Sequence, residues 1–531
     1  MSSHILQKLR GIIIVLLALA LGNNLFAQKK PNILFIMGDD IGWFNPSCYN
    51  EGLMGYMTPN IDRIAAQGAR FNTWYAQQSC TAGRAAFITG QSPIRTGMTK
   101  VGMPGSDVGL SAEDPAIGEF LKALGYATGQ FGKNHLGDLN KFLPTVHGFD
   151  EFLGNLYHLN AEEEPEDPDY PKDPKYKEMF GPRGVLKCTA TTVDDTTVQG
   201  KFGPIGKQKI KDTGPLTIKR METIDEETAS AAIDFMDRQT KAGKPFFCYY
   251  NSTRCHVNTH LSPEYNGKTG LGLEADAMTE LDDNVGKLLK KLDDLGIANN
   301  TIVVFTTDNG AEMMSWPDGG STPFRGEKAT NWEGGYRVPT VIRWPGVIKP
   351  GTVSNDIFAH EDFIPTFCAA AGQTDVVQKC MSGYTMNGKT YKVHLDGYNQ
   401  LPFLKGDVKE DPRKEFLYWS DDGDLFALRY GRWKISFIEQ YHTGLDIWSR
   451  EYTKLRLPMP YDLLADPFER SPQSFEYDEW WVHHAYINYG ALAYVYKWLT
   501  SFKEYPPRQK PASFNLDEIM RKMSETPAGA N

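Results

Sequence analysis

Five short apolar runs, four of them breaking off into polar clusters, set the strongest limit on the fold. Asn32–Met37 (NILFIM) ends in Gly38-Asp39-Asp40, and Thr301–Thr306 (TIVVFT) ends in Thr307-Asp308-Asn309-Gly310. Ala127–Phe131 leads into Gly132-Lys133-Asn134-His135, and Pro245–Tyr250 (PFFCYY) into the stretch from Asn251 to His260. Val338–Trp344 (VPTVIRW) is the fifth run. Between them, Ile61–Gln67, Ala116–Leu124, Asp225–Gln239 and Ala275–Leu295 carry apolar residues at three-to-four spacing, the period of a helix packed on one face. Strands alternating with helices predict an α/β fold: a large, mostly parallel central sheet flanked by helices. Such sheets bind ligands beyond the carboxyl ends of their strands, so four polar clusters after four different strands predict one convergent site. Asp39, Asp40, Asp308 and Asn309 offer four oxygen ligands and no histidine, which favours Ca²⁺ or Mg²⁺ over zinc.

The chain of 531 residues exceeds what one core supports, so a second, smaller unit is expected. The pattern changes near Leu395. Glu415–Ser420, Leu425–Tyr430 and Trp433–Ile438 read as short strands joined by turns at Asp422-Gly423 and Gly431-Arg432, and the aromatic-rich stretch Glu479–Phe502 reads as a helix packed on them. The expected division is residues 28–394 as the catalytic α/β domain and 395–531 as a C-terminal antiparallel-sheet subdomain. Ala161–Tyr170 (AEEEPEDPDY) reads as a solvated insertion loop. At the other end, Lys8 and Arg10 precede eleven uncharged residues, Gly11–Leu21, a run too short to span a bilayer and suited to a signal peptide over residues 1–27, cleaved after Ala27. No later stretch reads as a membrane span, so a periplasmic or secreted protein is expected. Seven cysteines leave one over if the rest pair; Cys368 and Cys380 are close in sequence, but spacing fixes no pairing. A net charge of −10 excludes a nucleic-acid coat.

The segment Ser79-Cys80-Thr81-Ala82-Gly83-Arg84-Ala85-Ala86-Phe87-Ile88-Thr89-Gly90 resembles the signature of the formylglycine-dependent sulfatases, the arylsulfatase family of the alkaline phosphatase superfamily. Asn32–Asp40 resembles that family's opening strand and metal pair, and Gly132-Lys133-Asn134-His135-Leu136-Gly137 its Gly-Lys-x-His-Leu-Gly motif. His147–Phe152, Thr307–Gly310, Gly326-Glu327-Lys328 through Trp332–Pro339, and Tyr461–Pro467 match further family stretches in order. The resemblance implies that Cys80 matures to formylglycine, whose hydrated aldehyde is the nucleophile and also touches a metal held by Asp39, Asp40, Asp308 and Asn309. It implies that Asp308 takes the nucleophile's proton and Arg84 steadies the diol. His256, with Lys328, protonates the departing alcohol, and Lys133 adds positive charge. A sulfated enzyme intermediate follows, and His135 deprotonates the second hydroxyl to expel sulfate.

Two positions depart from the family pattern. Ala82 stands where many members have proline, the bacterial variant matured by an oxygen-independent radical enzyme, which is therefore an expected partner before export. Asn134 replaces a commoner tryptophan. His260 is expected to face substrate or lie behind the site, and His360 and His394 match no motif and read as structural. The expected activity is hydrolysis of aryl or carbohydrate sulfate monoesters. The alternatives are a phosphonate monoester or phosphodiester hydrolase of the same superfamily, or a non-catalytic binder of sulfated glycans, which would lack the nucleophile or the acid-base groups. The sequence sets neither the substrate nor the oligomeric state.

Overall fold

The β-branched and aromatic residues of the central runs have no polar face to offer water, and each run is buried on both sides. The computed structural model describes residues 30–314 and 318–512, so the expected signal peptide lies outside the described residues. The main sheet has ten strands: β1 (Asn32–Gly38), β2 (Ala69–Phe71), β3 (Ala127–Gly132), β4 (Glu151–Gly154), β5 (Leu186–Val198), β6 (Pro204–Asp212), β7 (Phe246–Asn251), β8 (Thr301–Thr307), β9 (Thr340–Arg343) and β10 (Thr352–Ser354). Their order is β10-β2-β9-β8-β1-β7-β3-β4-β5-β6. The five central strands β8-β1-β7-β3-β4 run parallel, with Phe35 between Val304 and Tyr249. At the margins β9 runs antiparallel to β8, and β5 and β6 form an antiparallel hairpin on the far edge.

Alternate residues of β1 feed opposite cores, as the two-residue period of a strand requires. Ile33, Phe35 and Met37 pack with Phe87 of α2 (Cys80–Thr89), Phe120 of α3 (Ile117–Ala123) and Phe363 of α6 (Phe363–Ala370). Leu34 and Ile36 face α1 (Pro59–Ala66), α4 (Ile224–Lys241) and α5 (Leu273–Asp294). Phe35 stacks on Phe87 with ring centroids 4.0 Å apart, so the strand that carries Asp39 and Asp40 is fixed directly against the helix that carries Cys80.

A separate antiparallel sheet follows: β11 (Glu415–Trp419), β12 (Leu425–Tyr430), β13 (Trp433–Glu439) and β14 (Thr453–Asp462). Its first three strands are the expected ones. The fourth contains Pro458 and Pro460, which hid it in the sequence; it is an edge strand, where proline is tolerated. The single helix expected over Glu479–Phe502 is two, α7 (Tyr477–His483) and α8 (Tyr486–Thr500), and α8 packs Ile487, Ala491 and Val495 on Leu417, Leu428 and Ile435. The acidic stretch is only partly the solvated loop expected: Ala161 and Glu162 are buried, because His158 caps a short helix by accepting from the Ala161 N–H at 3.1 Å. All seven cysteines are free thiols. No helix among the described residues is long and apolar enough to cross a membrane.

Candidate active site

The carboxyl ends of β1, β3, β7 and β8 meet the N-terminus of α2, and every residue of α2 is buried. Gly83 is required there: a Cβ at this position would stand 1.7 Å from the Asp308 carbonyl oxygen. Asp40 and His135 both sit at positive φ (60° and 56°), a backbone cost of roughly 1–3 kcal/mol each that turns their side chains inward.

Three carboxylates and three cations interleave around Cys80. Arg84 lies 2.8 Å from Asp308 and 3.4 Å from Asp39, and its Nη1 donates to Asn251 Oδ1 at 3.1 Å. Lys133 Nζ is 2.6 Å from Asp39, and Lys328 Nζ is 2.7 Å from Asp40. Cys80 Sγ lies 3.7 Å from Asp40 Oδ1, and Asn309 Nδ2 donates to that same oxygen at 2.8 Å. His256 Nε2 is 3.6 Å from Asp40 Oδ2, while its Nδ1 meets the Val257 carbonyl at 2.6 Å. His135 Nε2 meets the Gly102 carbonyl at 3.0 Å, and its Nδ1 has no hydrogen-bond partner among the described residues. A carbonyl can only accept, so each imidazole places its proton on the carbonyl side and keeps the other nitrogen bare when neutral.

Burial dominates the protonation states. It pushes Asp39 up to about 7 in spite of Lys133. Burial acts on Asp40 in the same sense, but the Lys328 ammonium overcomes it and holds that carboxyl below the usual range. Asp308 is likewise held low, burial being outweighed by Arg84. The Cys80 thiol is driven well above its ordinary value by burial, so as a thiol it stays protonated. Burial, with Lys133 adding to it, keeps His135 and His256 neutral.

The site therefore brings together every residue expected of it: Asp39, Asp40, Cys80, Arg84, Lys133, His135, His256, Asp308, Asn309 and Lys328. A cation fits these residues. Ligand atoms of Asp39, Cys80 and Asp308 lie within 4.8 Å of one another, as do those of Asp40, Cys80 and His256. Asn309 Oδ1 is buried without a hydrogen bond from any described residue, and hard oxygen donors of this kind suit a divalent cation. His260 stands apart, paired with Glu163 at 2.6 Å. His360 braces the end of β8, meeting the Thr307 carbonyl at 2.8 Å and accepting from Trp74 Nε1 at 3.0 Å, and His394 pairs with Asp396 at 3.1 Å. Sequence reading missed His158, whose ring lies 5.5 Å from His135 and 5.9 Å from His256, and Glu312, 3.4 Å from Lys328. No motif marked either.

A pocket of about 350 Å³ opens above Cys80, floored by His158, His256, Glu312 and Lys328 and walled by Val101, Met103 and Trp448, the last reaching in from the C-terminal region.

A sulfatase family model matches residues 31–373. The chain is 34% identical to arylsulfatase A of Homo sapiens over 471 residues, 85% of each chain. It is 32% identical to N-acetylgalactosamine-6-sulfatase of Canis lupus familiaris, across 86% of this chain and 84% of that one. The crystal structure of PsFucS1 sulfatase from Pseudoalteromonas sp. superposes with a TM-score of 0.77 at 29% identity, covering 92% and 94% of the two chains. Motifs spread over four strand ends converge as that family requires, and the chain belongs to the sulfatase family, the sulfuric ester hydrolases.

Proposed function

We propose that this sulfatase is exported by way of residues 1–27 to the periplasm or medium, and hydrolyses aryl or carbohydrate sulfate monoesters with formylglycine made from Cys80. The observation that carries the reading is Cys80 itself. It is a buried thiol at the base of the pocket, within 3.7 Å of a carboxylate and held protonated by burial. A protonated thiol is a poor nucleophile toward a sulfate ester; a hydrated aldehyde at the same position supplies an oxygen to attack and a second one to release the product. Ala82, standing where many relatives of this pattern have proline, supports maturation by a radical enzyme acting before export.

Asp39, Asp40, Asp308 and Asn309 would hold the metal, with position 80 completing the set; the oxygen donors suit a hard dication, which we propose to be Ca²⁺, with Mg²⁺ the second candidate, and when bound it would supply Lewis-acid charge at the attacking oxygen. Without it three carboxyls, Asp39, Asp40 and Asp308, face three cations, Arg84, Lys133 and Lys328, and these six groups carry no net negative charge, since burial keeps Asp39 partly protonated near neutrality. Loading a dication leaves the pocket positive, which suits an anionic sulfuryl group in a chain whose net charge is −10. Asp308, held ionised by Arg84, takes the nucleophile's proton. Lys133 and Lys328 hold sulfuryl oxygens. His256 lines the pocket and, with Lys328, delivers a proton to the departing alcohol: the imidazole, neutral in the empty pocket, takes up its proton once the anionic sulfate ester is bound, whereas the Lys328 ammonium carries one already. His135 offers its bare Nδ1 as the base that regenerates the aldehyde.

We further assign residues 28–394 to catalysis and 395–531 to a subdomain that adds Trp448 to the pocket wall. Matched sulfate, phosphate and phosphonate esters of one alcohol, followed by a panel of sulfated sugars, test the proposal. Preferred turnover of the sulfate ester is expected; preferred turnover of the phosphonate monoester would overturn it.

A further inference from the structure

After α8 the chain runs back past the segment that follows α2, and residues 505–511 lie on it as a strap. The Arg508 N–H donates to the Arg95 carbonyl at 2.8 Å, and its guanidinium donates to the Lys392 carbonyl at 3.0 Å and lies 3.5 Å from Asp114. Gln509 Nε2 donates to two carbonyls, Thr96 at 3.0 Å and Gly109 at 2.8 Å. Gly97, at φ 76°, lets the strap pass, since a Cβ there would stand 2.5 Å from the Gln509 carbonyl oxygen.

Gln509 thereby joins the two ends of one loop. None of residues 97–109 lies in a helix or strand, so no ladder of backbone hydrogen bonds sets the loop's course. Its tip is in the active site. The Gly102 carbonyl meets His135 Nε2 at 3.0 Å. The Gly102 N–H donates to Thr81 Oγ1 at 3.0 Å, and that hydroxyl donates to the His135 carbonyl at 3.1 Å. Val101 and Met103, on either side of Gly102, wall the pocket. Just past the loop, the Leu110 N–H donates to the carbonyl of Leu136, the residue after His135, at 3.0 Å. The loop's middle is tied to the small sheet: Lys100 Nζ is 2.9 Å from Asp421, and Thr99 Oγ1 donates to the Asp421 carbonyl at 2.7 Å. The strap backs that turn as well, because a Cβ at Gly423 would stand 2.9 Å from Pro511 Cγ. A carbonyl only accepts, so Gly102 decides which nitrogen of His135 carries the proton and how the ring is turned. A loop left open at its base would let that carbonyl drift.

We propose that Gln509 is a positioning residue for the second half of the reaction: by closing the base of loop 97–109 it holds the Gly102 carbonyl on His135 Nε2 and keeps Nδ1 directed at the group it deprotonates. This role rests on His135 being the base that regenerates the aldehyde.

The test uses the full chain carrying Gln509→Met, which keeps the side-chain length and removes both donations. With an activated aryl sulfate, kcat should fall about tenfold, inside the ~100-fold that a displaced catalytic group can cost. Because sulfuryl transfer precedes the step His135 serves, kcat/KM should stay within about twofold, KM should fall with kcat, and a burst of phenol matching the converted sites should appear. His135→Ala should give the same pattern more strongly. A second readout needs no turnover: with Cys80 unconverted, amide hydrogen exchange in residues 97–109 should quicken in Gln509→Met while α1 and α5 keep their wild-type rates. If Gln509→Met fails to fold, Arg508→Ala, which loosens the same strap, takes its place in both measurements with about a threefold fall in kcat expected. A burst in His135→Ala with none in the strap variant overturns the role of Gln509 alone, and the absence of a burst in His135→Ala overturns the assignment of the base and the proposal with it. Unchanged exchange in 97–109 also overturns the proposal. So does a raised KM at unchanged kcat, which would place the effect on the Val101–Met103 wall, or an equal fall in kcat and kcat/KM, which would mark a loss of folded enzyme.

Discussion

Replacing Glu333 by Gln tests how the two sheets are joined. Glu333 belongs to the Glu-Gly-Gly stretch before β9 and is fully buried. Its Oε2 accepts from Tyr75 at 2.7 Å and Arg337 at 2.6 Å, and its Oε1 from Tyr418 of β11 at 2.5 Å and Lys434 of β13 at 3.3 Å. Burial works to raise this carboxyl, but Arg337, Lys434 and Arg429 outweigh it and hold it below the carboxylate range. Removing one member of a buried charge cluster costs about 3–5 kcal/mol. Gln keeps the shape, and Lys434 retains Glu469 at 2.6 Å, so the lower end, about 3 kcal/mol, is expected. If the whole chain unfolds as one unit, its unfolding entropy of about 1 kcal/mol/K limits the drop in Tm to ~3 °C. If the small sheet and its helices, roughly a hundred residues, unfold first, the same loss moves their transition by ~15 °C. Calorimetry with tryptophan fluorescence separates the two. The pH dependence has a definite sign. A depressed folded-state pKa contributes stability that is present above the ordinary value of 4.5 and lost as pH falls below it, so the gap between wild type and variant should close below that pH. A cost under ~1 kcal/mol at neutral pH, or a gap independent of pH, would refute the view of Glu333 as the anchor of the C-terminal sheet.

Two further predictions concern the site. Asp40→Ala should abolish turnover and weaken Ca²⁺ binding measured by calorimetry; full turnover of that variant in chelator would remove the metal assignment. His256→Ala should slow alkyl sulfates far more than activated aryl sulfates, because an acid matters most when the leaving oxygen needs a proton. His260→Ala, which loses only the pairing with Glu163, should show no such split in leaving-group dependence, and equal behaviour of the two variants would displace His256 from the general-acid role.

The parts of the fold that follow from local chemistry were legible in the sequence. The parallel core was readable because β1, β7 and β8 are near-continuous apolar runs, and the candidate site because each run stops at the polar residues that converge there. Elements whose residues point to water were not. The β5–β6 hairpin is rich in threonine, aspartate and lysine and is mostly exposed on β5, so it carries no apolar signal. His158 and Glu312 enter the site through loops whose course no spacing encodes. Glu162 looked like one solvated acid among several, yet burial pushes its carboxyl well above the usual range. Val338–Trp344 showed its strand but not its direction: β9 pairs antiparallel with β8, because the intervening loop returns across the site to deliver Lys328 before the strand begins.

The most direct measurement of the central claim is the chemical state of position 80. Trypsin releases Phe71–Arg84 as one peptide. In active protein made with the radical maturase, that peptide should be lighter by the thiol-to-aldehyde change and should react with hydrazide, and conversion and turnover should rise together. Full activity with an intact Cys80 thiol, or in Cys80→Ala, would contradict the account.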